Sequence, residues 1–95
     1  MDINSLREEI DALDEQITAL IIKRMDCSIN IAHIKASNGL AVLDKQREKD
    51  LLNKIYNNSK KYKNECVSIF EKIIDISKII QETEIQSISE SKGKL

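Results

Sequence analysis

The sequence predicts an all-α fold of three helices, long, short and long, on three observations. The 95 residues contain no proline and only two glycines, Gly39 and Gly93. Long stretches therefore lack the turn marks that a sandwich or barrel needs roughly every 8 to 12 residues. The composition is weighted to 17 isoleucines and 12 lysines, with 33% charged residues and only three aromatics. Finally, the apolar positions from Leu6 onward step alternately by four and three, as along a helix seam. The length holds one domain. A domain this small buries only about two thirds of the surface its unfolded chain exposes, so a roomy interior site needs oligomerisation or a ligand.

The first helix is expected from about residue 4 to about residue 36, with Leu6, Ile10, Leu13, Ile17, Leu20, Arg24, Cys27, Ile31 and Ile34 on one stripe. Asn4 or Ser5 can cap it, with Glu8 placed for a capping box with Ser5. Its length of roughly 50 Å exceeds what a compact globule of this size can cover. The segment 37–43 holds the only interior glycine and reads as a loop. Asp44 is the expected N-cap of the second helix, where Glu48, Leu51, Leu52 and Ile55 share a face. Asn57, Asn58 and Ser59 end it. The third helix opens between Tyr62 and Glu65 and carries Val67, Phe70, Ile73, Ile74, Ser77, Ile80, Gln81 and Glu84 on one stripe. The domain is expected to span 1–88, with 89–95 a frayed polar tail.

Charge and composition exclude several function classes. Sixteen acidic and 15 basic residues give a net charge of −1, without the concentrated positive face that nucleic-acid binding requires. The densest basic group, Lys60, Lys61 and Lys63, reads as a solvated turn. No apolar run approaches the roughly 20 residues of a membrane span, and the N-terminus is not a secretory signal, so a cytoplasmic protein is expected. Cys27 and Cys66 have no metal-ligand spacing and fall in apolar stripes, which predicts buried, reduced thiols. His33, the sole histidine, is expected on a solvated face. No metal site or hydrolase triad is supported.

The informative residues are the polar ones inside apolar stripes. Arg24 occupies a seam position, and Lys35, eleven residues on, lies only ~20° around the same helix. Asp44 and Glu48 are an i, i+4 pair on the second helix, as are Ser77 and Gln81 on the third. Buried polar groups are costly unless paired. They could serve one another, with Arg24 bridged to Glu48 and Ser77 bonded to Gln81. Alternatively the cations leave a positive surplus suited to a small anion carrying carboxylates, which an arginine fork matches. Arg7 lies 17 residues before Arg24, ~25 Å along the axis and ~100° off its face. Both can contact one small ligand only if Arg7 comes from a second chain, so an antiparallel dimer with shared sites follows as a hypothesis.

The ordered set Leu6-Arg7-Glu8-x-Ile10-x-x-Leu13-Asp14, Arg24, Lys35, Asp44-x-x-Arg47-Glu48 and Ser77-x-x-x-Gln81 resembles the all-helical chorismate mutases over residues 3 to 85. The resemblance implies an intertwined homodimer of three-helix chains that converts chorismate to prephenate, in phenylalanine and tyrosine biosynthesis, without cofactor or metal. It implies that Arg24 and a partner chain's Arg7 hold the two carboxylates of the substrate. Lys35 would reach a carboxylate and the ether oxygen, and Gln81 would donate a second hydrogen bond to that oxygen. Glu48 and the backbone near Asp44 would hold the ring hydroxyl, Ser77 would assist at a carboxylate, and Arg47 would support the site. The loop at 37–43 lacks basic and proline residues that some relatives carry. The alternatives are an isochorismate pyruvate lyase with the same fold, or a non-catalytic helical dimerisation or regulatory module. With no separate effector domain in these residues, feedback control within the chain is not expected.

Overall fold

Three helices connected by two short turns follow one another in the order α1 (Ile3–Asn38), α2 (Lys45–Asn58) and α3 (Lys63–Gly93). The computed structural model describes residues 2–93. Helix α1 begins at Ile3, one residue before the expected start, and its cap lies two to three residues before the expected one. Asp2 is the N-cap, and its Oδ1 accepts from the Ser5 amide at 2.8 Å. Neither Asn4 nor Ser5 caps: the aspartate lies just ahead of the first apolar residue, Ile3, and supplies the acceptor that the exposed amides of a first turn need. That contact holds the Asp2 carboxyl below its ordinary pKa.

Gly39 ends α1 in the left-handed conformation, at φ 63°. Its amide bonds Ala36 O at 3.4 Å, and the Leu40 amide bonds Lys35 O at 2.8 Å. These two bonds form a Schellman motif, which favours glycine at that position. They fix the last turn of α1, the turn that carries Lys35. Asp44 caps α2 as expected, with Oδ1 accepting from the Arg47 amide at 3.0 Å. Ser59 closes it by donating its hydroxyl to Ile55 O at 2.7 Å. At the α2–α3 turn Lys63 Nζ donates to Tyr56 O at 2.9 Å and stands over the Tyr56 ring, so part of the basic group finishes a helix end.

The expected tail is helical where it is described. α3 continues through Gly93, because residues 89–92 are polar but contain no helix breaker, and Gln86 donates across a turn to Glu90 at 3.1 Å. Lys94 and Leu95 lie outside the described residues.

α3 packs against both α1 and α2. The α2 face of Glu48, Leu51, Leu52 and Ile55 is half-buried, and the α3 stripe from Val67 to Glu84 is half-buried or buried throughout. Residues 3–20 of α1 are exposed throughout. Leu6, Ile10, Leu13, Ile17 and Leu20 are 41 to 64% exposed. The molecule accordingly measures 62 × 27 × 14 Å with a radius of gyration of 17.3 Å, where a compact domain of this length has roughly 12 Å.

This geometry corrects one expectation. Cys27 is exposed and Cys66 half-buried, and both are free thiols. Cys27 does lie on the apolar stripe, but that stripe is uncovered. His33 is on a solvated face as expected, where its Nε2 lies 2.9 Å from Glu84 Oε1 and ties α1 to α3. Among the described residues no helix is long and apolar enough to cross a membrane, and none of them group into a metal-binding cluster.

Candidate active site

The best-buried place in this fold is polar. Among the described residues only Ala32 and Ile74 are buried apolar side chains, while Ser28, Ser77 and Gln81 are 4, 6 and 7% exposed. They form one wall of a cavity of about 340 Å3 between the three helices, within the usual range for small-molecule sites. From α1 the cavity takes Arg24, Ser28 and Lys35; from α2 it takes Arg47 and Glu48, with Asp44 at the N-cap; from α3 it takes Ser77, Lys78 and Gln81. Ile31, Leu51 and Ile74 supply apolar walls. Every site residue expected from the sequence is therefore brought together except Arg7, which lies on the bare half of α1.

Local structure explains how each side chain arrives. Arg24 and Ser28 are one turn apart on α1, and Ser28 Oγ donates to Arg24 O at 3.2 Å. Ser28 Oγ and Ser77 Oγ are 2.6 Å apart. Because the Ser28 proton goes to Arg24 O, Ser77 is the donor between the two hydroxyls. Ser77 Oγ then accepts from Gln81 Nε2 at 3.5 Å, a long bond. Gln81 Oε1 is buried without a hydrogen-bond partner. Rotating the amide by 180° would exchange its two ends, so in either orientation one polar atom of Gln81 is left for a ligand. Such an orphan deep in a polar wall is a mark of an unfilled binding role.

Lys35 Nζ donates to Val42 O in the α1–α2 loop at 2.7 Å, which leaves two of its three N–H groups free. Glu48 is not bridged to Arg24. Its Oε1 is met by Lys78 Nζ at 2.8 Å, and Lys78 also approaches Asp75 Oδ1 at 3.7 Å. The contact with the Glu48 carboxylate raises the Lys78 pKa above its ordinary 10.5. A raised pKa means that the pairing is complete below 10.5 and is lost only as pH climbs through the higher folded value.

The charges lining the cavity are Arg24, Lys35, Arg47 and Lys78 against Asp44 and Glu48. Four cations less two anions leave a surplus of two, which suits a dianion. The lining offers no nucleophile paired with a base. Its two serine hydroxyls are engaged with each other, Glu48 is engaged by a lysine, and the free Cys27 thiol has no histidine in the cavity beside it, His33 lying outside. What remains is a set of fixed hydrogen-bond donors, the equipment of electrostatic stabilisation.

Comparison with known proteins agrees with this arrangement. Residues 6–82 match the family described as chorismate mutase type II, a span that includes every residue assigned to the cavity. The chain belongs to the type II chorismate mutase family. A chorismate mutase of Methanocaldococcus jannaschii is 29% identical over 92 residues, covering 94% of this chain and 90% of that protein. A bifunctional chorismate mutase/prephenate dehydratase of Buchnera aphidicola from Schizaphis graminum is 37% identical over 83 residues. This chain spans about a fifth of that relative's length, 22%, and covers the bifunctional Escherichia coli K12 protein to the same extent. A solved structure, a conserved hypothetical protein from Pyrococcus furiosus, superposes with a TM-score of 0.72 at 35% identity, over 83% of this chain and 93% of that one.

Ser28 and Lys78, both in the cavity lining, escape a reading of the sequence. Ser28 follows Arg24 by four residues, so a helical projection from Arg24 could have found it. Lys78 lies next to Ser77 and therefore about 100° off the inward stripe. Only the reach of a lysine side chain brings its head back to Glu48, and sequence spacing carries no signal of that.

Proposed function

We propose that this chain is a chorismate mutase, rearranging chorismate to prephenate within a homodimer whose sites each take Arg7 from the partner subunit. The observation that carries this reading is the convergence of Arg24, Lys35, Glu48, Ser77 and Gln81 on one cavity with a positive surplus and no nucleophile–base pair. The rearrangement breaks the C–O bond of the enolpyruvyl ether as a C–C bond forms, with no proton transfer and no added water. It requires a folded, chair-like substrate and stabilisation of negative charge on the ether oxygen. Arg24 and Arg7 of the partner subunit hold the carboxylates and so enforce the folded shape. Lys35, with two free N–H groups, reaches a carboxylate and the ether oxygen, and the Gln81 amide donates to the same oxygen. Glu48 and the backbone at Asp44 receive the ring hydroxyl. Ser77 and Arg47 support the carboxylate side.

The surface supports the dimer. The chain exposes 7699 Å2, whereas a compact monomer of 10.9 kDa exposes roughly 5,600 Å2. The excess of about 2,100 Å2 is of the size that one subunit buries in a large obligate interface. An antiparallel pairing that sets Arg7 of one chain level with Cys27, in the cavity wall of the other, has its two-fold axis at Ile17, the middle of the bare stripe.

Incubation of the purified protein with chorismate and, separately, with isochorismate tests the reading. Prephenate from chorismate supports it. Salicylate and pyruvate from isochorismate, with no prephenate, would replace it with a lyase, and no turnover of either would leave a non-catalytic module.

A further inference from the structure

Lys78 is the charged cavity residue to which the proposed reaction gives no role. It stands on α3 and Glu48 on α2, and their side chains are only 29% and 26% exposed, so the ion pair bridges two helices at the cavity wall. Glu48 Oε1, the atom that Lys78 meets, is shielded from solvent and has no hydrogen-bond partner of good geometry, so the ammonium beside it is its charge partner. A carboxylate oxygen removed from water is stable only beside a cation or several donors. Lys78 is the cation in contact, at 2.8 Å. Without it the carboxylate would turn out of the wall to regain water. The contact occupies one carboxylate oxygen and leaves the other as an acceptor.

We propose that Lys78 is a positioning residue for ring-hydroxyl recognition, holding the Glu48 carboxylate so that its second oxygen accepts from the substrate hydroxyl. This rests on the chorismate mutase reading above. Lys78 acts through Glu48 and does not touch the reacting atoms. The effect falls on substrate recognition more than on the chemical step, because the hydroxyl is remote from the bond that breaks.

Steady-state kinetics of wild type, Lys78→Met, Lys78→Arg, Glu48→Gln and the Lys78→Met/Glu48→Gln double variant test the proposal. Each is measured on chorismate and on the analogue lacking the ring hydroxyl. Lys78→Met should lose roughly tenfold in kcat/KM on chorismate, the scale of one charge-assisted hydrogen bond, mostly through KM. Lys78→Arg should recover most of the loss. The double variant should be no worse than Glu48→Gln alone, and on the hydroxyl-free analogue Lys78→Met should match wild type within about twofold. Unchanged kcat/KM in Lys78→Met, additive losses in the double variant, or an equal loss on both substrates would each overturn it. Should Lys78→Met not fold by circular dichroism, Lys78→Gln takes its place, with Lys78→Arg as the ion-pair-retaining control. A wild type inactive on chorismate refutes the underlying reading; an active wild type with an unaffected Lys78→Met refutes only this role.

Discussion

The hydroxyls of Ser28 and Ser77 meet at 2.6 Å across the α1–α3 packing, and through them the backbone of Arg24 is linked to the side chain of Gln81. Neighbouring bonds in such a chain polarise one another in a low-dielectric interior. The link joins a residue proposed to hold a carboxylate to one proposed to stabilise the ether oxygen.

Ser28→Ala removes the middle of this chain and leaves the buried Ser77 hydroxyl without its acceptor. An unsatisfied buried hydroxyl costs about 1 to 3 kcal/mol, so the melting temperature should fall. Freed from Ser28, the Ser77 hydroxyl can turn away and leave Gln81 less fixed, so kcat should drop more than KM changes. Thermal melts and kinetics of this variant check both, and a wild-type kcat would show that the link does not matter to the reaction.

Arg24→Ala separates an enzymatic cavity from a structural one. Arg24 is half-buried and its side chain makes no ion pair with Glu48. Its removal should leave a folded dimer while lowering kcat/KM by about two to three orders of magnitude, the scale of losing a fixed transition-state contact. Near-wild-type kcat/KM in the folded variant would remove the assignment.

At position 81 an amide donates at every pH, since it does not titrate. Wild-type kcat should therefore show no acid-side optimum set by this residue. Gln81→Glu should be active only where its carboxylic acid is protonated, so its kcat should rise as pH falls. A pH profile of both proteins decides this. A steep loss of wild-type kcat between about pH 6 and 8 tracing to residue 81 would contradict the role given to Gln81.

The bare stripe of α1 predicts a symmetric contact. With the two-fold axis at Ile17, Ile17→Cys in a background with Cys27 and Cys66 replaced by serine should cross-link to a covalent dimer under mild oxidation. Leu6→Cys, far from the axis, should not. Non-reducing electrophoresis reads the result, and cross-linking of both variants alike would point to random collision.

The helices were legible because their apolar stripes repeat at helical spacing, and the inward polar residues were legible because they interrupt those stripes. Asp44 caps α2 as its position before a helical face suggested. Other features depend on information that spacing does not hold. The burial expected for Cys27 followed from its stripe, but a stripe says only that a surface is apolar, not whether the same chain covers it. The bridge from Arg24 to Glu48, one of the two readings that spacing left open, is not formed, and Lys78 meets Glu48 instead, since periodicity gives directions and not side-chain reach. The cap at Asp2 and the helical residues beyond Ile88 lie outside the apolar stripes, although neither segment contains a helix breaker.

The central claim is that one chain holds an incomplete site and that a second chain completes it through Arg7. Arg7→Ala and Lys35→Ala should each be inactive alone. Mixed, unfolded and refolded together in equal amounts, they form mixed dimers, in which one site lacks both residues and the other lacks neither. Random pairing makes half of all dimers mixed, so activity should return to about a quarter of wild type. No recovery, with mixed dimers shown to be present, would place each site within a single chain and contradict the account.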